Sequence, residues 1–131
     1  MIFDKEQVMR SQAVLVLGTY ANKGLIDILF GIGLAPLVRA NIQGVLDKLR
    51  HEQCAAVIVD CRYANIDILE LVLNVRDIDE QTPVVVLGKL SDEAVRKTLA
   101  SQKQTTIVED TEDGNKLAGR LEQILTSLEE K

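Results

Sequence analysis

The chain has 131 residues, 47% hydrophobic and 27% charged, with a formal net charge of −5. That length and composition fit one globular domain that buries most of its apolar surface, and they exclude a disordered chain. An acidic balance with no Lys/Arg-rich run speaks against nucleic-acid binding, which needs a basic face to neutralise phosphates.

Membrane insertion is not expected either. No apolar stretch reaches the roughly 18–20 uninterrupted residues of a span. The most apolar segment, Leu25 to Val38, is broken by Asp27, by glycines and by Pro36. The start, Met1-Ile2-Phe3-Asp4-Lys5-Glu6, has no basic region followed by an apolar core, so no secretory signal is read and a bacterial-type cytoplasm is the expected location.

Residues 1–12 are polar and irregular and read as an N-terminal arm, leaving 13–131 as a single domain. Ala13-Val14-Leu15-Val16-Leu17 is a continuous apolar run, the pattern of a strand covered on both faces, and Gly18-Thr19 ends it. Helical spacing begins near Lys23, with Leu25, Ile28, Leu29 and Ile32 at i, i+3, i+4 and i+7. Gly31 and Gly33 stop this helix. Ala35-Pro36-Leu37-Val38 is a short second strand whose proline marks an edge strand or a strand start.

Asn41 is the N-cap of a second helix carrying Ile42, Val45, Leu46 and Leu49 on one face. A third strand, Ala55 to Asp60, precedes a third helix over about Ile66 to Ile78. Thr82-Pro83 leads into a fourth strand, Val84-Val85-Val86-Leu87, and Ser91 is read as the cap of a fourth helix. Thr105-Thr106-Ile107-Val108 is a fifth strand. A last helix carries Leu117, Leu121, Ile124, Leu125 and Leu128 on one stripe. Strand and helix alternate five times, so the predicted architecture is α/β: a five-stranded parallel sheet, doubly wound as (βα)5, with helices on both faces.

Asp60 is the residue that points to chemistry. It closes the apolar run Ala55-Ala56-Val57-Ile58-Val59 and precedes a loop and a helix. In open parallel sheets, ligands collect at the carboxyl ends of strands, so a carboxylate there is a candidate nucleophile or metal ligand. Asp60 is followed by Asp67, by Leu69-Glu70-Leu71 and by Thr82-Pro83. This set, extending over about residues 13–128, resembles the receiver (response-regulator, CheY-like) domain of two-component signalling, with its flavodoxin-like topology. The resemblance implies a phosphoacceptor at Asp60.

The rest of the receiver machinery is missing by spacing. The family places an acidic pair for Mg²⁺ after strand one, where this chain has Leu17-Gly18. It ends strand four with a Thr or Ser, where Gly88 stands. It follows strand five with a Lys and often a Pro, where Asp110 and Thr111 stand, and Ile107 occupies the aromatic switch position. Phosphoryl transfer rests on positioning and charge neutralisation. The chain is therefore read as an atypical, pseudo-receiver form that acts by protein–protein contact, with no metal or other cofactor and no enzymatic activity. A genuine phosphoacceptor using Mg²⁺ at Asp60 is the alternative. If Asp60 faces Asp110, their repulsion should raise one pKa. The partner is expected to be a signalling protein, an output domain or a second copy of the chain, with no membrane or nucleic acid involved. By the family's habit its contact face maps to about Asp92 to Glu129.

Other features carry weaker signals. Gly18-Thr19-Tyr20-Ala21-Asn22-Lys23-Gly24 could cradle a phosphate at a helix start, and a flavodoxin-like electron carrier is a further alternative. The chain has no Trp, two Tyr and two Phe for flavin stacking. His51, the only histidine, reads as a helix-terminus residue. Cys54 and Cys61 flank one strand, roughly 23 Å apart at strand rise, so they cannot pair and read as packing thiols. In the third helix Leu69, Val72 and Leu73 supply one apolar stripe. Ile68, Leu71, Val75 and Ile78 form a second, either a broad buried face or an interaction stripe. Ile26 and Phe30 lie off the main face of the first helix.

Overall fold

The computed structural model describes residues 13–18, 23–61, 66–109 and 113–129. Five strands, β1 (Ala13–Leu17), β2 (Ala35–Arg39), β3 (Ala56–Asp60), β4 (Val84–Leu87) and β5 (Thr105–Val108), alternate with five helices. The helices are α1 (Lys23–Gly31), α2 (Ile42–His51), α3 (Ile68–Ile78), α4 (Glu93–Ala100) and α5 (Gly114–Glu129). The strands form one parallel sheet in the order β2-β1-β3-β4-β5. The N-terminal arm read at 1–12 lies outside the described residues.

Alternation along each strand builds two cores. Val14, Val16, Ala56, Ile58, Val85 and Leu87 pack against Leu25 and Leu29 of α1 and Leu117, Leu121 and Leu125 of α5. Leu15, Leu17, Val57, Val59, Val84 and Val86 pack on the other face against α2, α3 and Leu99 of α4. This is the doubly wound sandwich expected of near-continuous apolar strands.

Of the two caps read from the sequence, Asn41 is observed and Ser91 is not. Asn41 Oδ1 accepts the Gly44 N–H at 2.8 Å and starts α2. Asp67 accepts the Glu70 N–H at 3.1 Å, so α3 begins at Ile68 rather than Ile66. The cap of α4 is Asp92, not Ser91. Its carboxylate accepts the N–H groups of Ala94 at 2.9 Å and Val95 at 3.2 Å, where a full negative charge also meets the helix dipole.

The edge strand β2 is modified on its outer side. The Arg39 carbonyl accepts from Gly18 N–H at 3.2 Å, so alternation turns Pro36 and Val38 outward. Pro36 has no N–H to offer there, and the Arg39 guanidinium donates to the Val38 carbonyl at 3.0 Å.

Of the two readings of the second apolar stripe on α3, the buried face is the one observed. Ile68, Leu71 and Val75 are buried in the core with Val72, and Ile78 packs half-buried beside them. Ile68, Leu71, Val72 and Val75 fall at i, i+3, i+4 and i+7, and the longer stripe sets the helix rotation. Leu73, assigned to the core, is 50% exposed instead, and Phe30 of α1 is also exposed. We predict that Leu71→Ala costs about 2–5 kcal/mol while Leu73→Ala stays within about 0.5 kcal/mol, as urea unfolding of both variants will register.

Candidate functional site

The carboxyl ends of the inner strands meet on one edge of the sheet. Asp60 stands beside Leu87 in the β3–β4 register, and the Cys61 N–H donates to the Leu87 carbonyl at 2.9 Å. The Gly88 N–H donates to Val108 carbonyl at 2.9 Å, so this amide is already used within the sheet. The expected neighbours Leu17, Gly18, Asp60 and Gly88 therefore do gather at one edge. Asp110, Thr111 and the Thr19-to-Asn22 part of the glycine-bounded loop lie outside the described residues.

Asp60 is 0% exposed, so in this conformation its carboxylate is closed to a phosphodonor in solution. Its surroundings on β1 and β4 are apolar: Leu17 and Leu87 are both buried, and glycines follow them. Charge at the edge comes from elsewhere. Arg96 of α4 donates from Nε to Glu109 Oε1 at 2.6 Å, tying α4 to the residue after β5. This bond and the Glu109 charge hold the Arg96 guanidinium above its ordinary pKa. Ile107, at the position of the family's aromatic switch, is half-buried against the α2–α4 core.

Two further sequence readings can be placed. His51 is exposed at the end of α2, with Nδ1 2.7 Å from the Asp47 carbonyl, far from this edge in the topology. Cys54 and Cys61 are both free and half-buried against the same core. A groove of about 330 Å³ opens beside Cys61 between the starts of α3 and α4, lined also by Lys89 and Val95. Sequence reasoning passed over Lys89; its one signal was its place directly after Gly88 at a strand end.

No protein-family model matches the chain, and no curated protein sequence does. Solved structures do. The CheY-like receiver domain protein of Methanospirillum hungatei superposes with a TM-score of 0.71 at 17% identity, covering 92% of this chain and 96% of its own. The receiver domain of a sensor histidine kinase from Pseudomonas aeruginosa, with magnesium in its active-site cleft, gives 0.69 at 15%, covering 88% and 98%. Full-length FixJ from B. japonicum gives 0.72 at 17%, covering 88% of this chain and 58% of FixJ. The fold is that of a receiver domain.

On the receiver fold, Mg²⁺ requires oxygen ligands in near-octahedral array. Among the described residues at the ends of β1, β3 and β4, only Asp60 carries a carboxylate. No group of three His, Cys, Asp or Glu among the described residues is placed to hold a metal. This donor set does not fit the ion.

The backbone of Gly88 is itself unusual. Its φ is 118°, a conformation that L side chains rarely adopt. Restoring the hydroxyl by Gly88→Thr should therefore destabilise the domain by about 1–3 kcal/mol, read as a fall in the urea midpoint at unchanged m.

Burial, and next the negative charge of Asp60, push the Cys61 thiol from 9.0 up to about 12. Below 9.0 neither folded nor unfolded chain loses this proton; above it the unfolded chain ionises first, so stability falls as pH rises toward about 12. We expect Cys61 in a Cys54→Ser variant to react with Ellman's reagent at about pH 8 at least ~100-fold more slowly than a free thiol.

Proposed function

We propose that the chain is a receiver-type signalling domain of a bacterial two-component or phosphorelay system that works through protein contact without conventional Mg²⁺-dependent phosphorylation of Asp60. The observation that carries this reading is the carboxyl edge of the sheet. A wholly buried Asp60 is flanked by Leu17, Gly18, Leu87 and Gly88, where phosphoryl transfer needs charge. A transferred phosphoryl group spreads negative charge over its oxygens, and catalysis consists of neutralising that charge in place. Leucine and glycine side chains offer no charge and no hydrogen bond for this. Losing one fixed cationic or hydrogen-bonding contact of this kind costs on the order of 2–4 kcal/mol of transition-state stabilisation.

The domain is then an interaction module of a cytoplasmic regulatory pathway, not an enzyme. By resemblance to receivers, its contact face is α4, β5 and α5, about Asp92 to Glu129. The partner is a signalling protein, an output domain or a second copy. Net charge of −5 supports a protein partner over nucleic acid. The second reading, a phosphoacceptor with a rearranged site, draws on the placement of Asp60 at the end of β3.

Intact-mass measurement after incubation with acetyl phosphate and Mg²⁺, with Asp60→Ala as control, separates the two. No phosphoryl adduct is expected on the parent chain. An adduct that disappears in Asp60→Ala would replace the pseudo-receiver reading with the phosphoacceptor one. A flavin absorbance spectrum of the same purified sample would instead favour the electron-carrier alternative.

A further inference from the structure

Arg76 lies in the last turn of α3 and reaches to the amino ends of β4 and β5, the end of the sheet opposite Asp60. Its Nη1 donates to the Thr82 carbonyl at 2.6 Å and its Nε to the Lys103 carbonyl at 3.0 Å. Its Nη2 donates to the Gln104 carbonyl at 2.8 Å and to Thr105 Oγ1 at 3.1 Å. A planar guanidinium presents donors in a rigid fork, so one side chain holds several adjacent acceptors that a lysine cannot hold together.

Gln104 is the position under constraint. Its φ is 56°, the one positive value among the described non-glycine residues. Left-handed backbone is unfavourable for a side chain with a Cβ and persists where surrounding contacts over-determine it. The Gln104 carbonyl accepts from Arg76 and also from the Val84 N–H at 2.8 Å. One oxygen thus joins α3, the start of β4 and the start of β5.

We propose that Arg76 is a latch that holds the α4–β5 turn in its left-handed conformation and fixes β5 against β4 from the far end of the sheet. The latch rests on this geometry alone. Its meaning, a partner face held in one arrangement rather than switched from Asp60, rests on the function proposed above.

Amide hydrogen exchange by NMR on the full chain tests it, with Val84 as reporter because its N–H shares the Gln104 oxygen with Arg76. Arg76→Met should speed Val84 exchange at least about tenfold, while Val16 and Ile58 stay within about twofold of the parent. Arg76→Lys should fall between the two. Adding Gln104→Gly to Arg76→Met should restore most of the protection, since glycine adopts the left-handed turn without help. Val84 exchange within about twofold of the parent in Arg76→Met, or no rescue by glycine, would overturn the latch. If Arg76→Met does not fold, Arg76→Lys with and without Gln104→Gly gives the same comparison. A phosphoryl adduct on Asp60 would sink the proposed function and leave the latch standing.

Discussion

Double coverage of the inner strands governs this molecule. β1, β3 and β4 are hydrogen-bonded along both edges, and helices lie over both faces, so their side chains have no route to water except at the strand ends. Backbone groups there are satisfied within the sheet, and apolar residues supply the packing on either side. Chemistry is thereby confined to the carboxyl edge and to the loops that leave it. Whatever the chain does through Asp60, it must do with residues at that edge, those after β5 included.

Because that edge is so constrained, the substitutions on it matter more than they would on an open surface. Leu17, buried at the end of β1, fills volume there with hydrocarbon. Gly88 goes further, since its φ of 118° is a backbone conformation unsuited to any L side chain. The two residues stand at the ends of the strands on either side of β3. Beyond β4, Arg96 is paired with Glu109, the residue that follows β5.

β1, β3 and β4 were readable from the chain because each is a short apolar run closed by glycine or a carboxylate, a pattern that depends on local order alone. The Asn41 cap was readable for the same reason, whereas Asp67 was placed inside its helix and not read as the cap. The rotation of α3 was not. Leu69, Val72 and Leu73 and the set Ile68, Leu71, Val72 and Val75 are both legitimate helical stripes, and the choice between them is made by packing between α2 and α4. Ser91 was read as the cap of α4, but Asp92, which brings a full charge to the helix start, takes that place. At the site, Asp60 and its gathering with Leu17, Gly18 and Gly88 followed from topology, whereas its complete burial depends on tertiary packing. Arg76 could not have been found at all, because its acceptors are mostly backbone carbonyls, and these leave no trace in residue identity.

The finish on β2 bears on how copies of this domain meet. A bare edge strand is a template for pairing with any extended segment, including the same strand of another molecule. Pro36 removes one outward donor from that template and Arg39 competes for the outward acceptor at Val38, so a cross-chain ladder along this side is weakened. At the opposite margin β5 carries two threonines and no proline. Strand addition between molecules, whether as unwanted aggregation or as a binding mode for an extended peptide, is therefore steered away from β2 and toward β5.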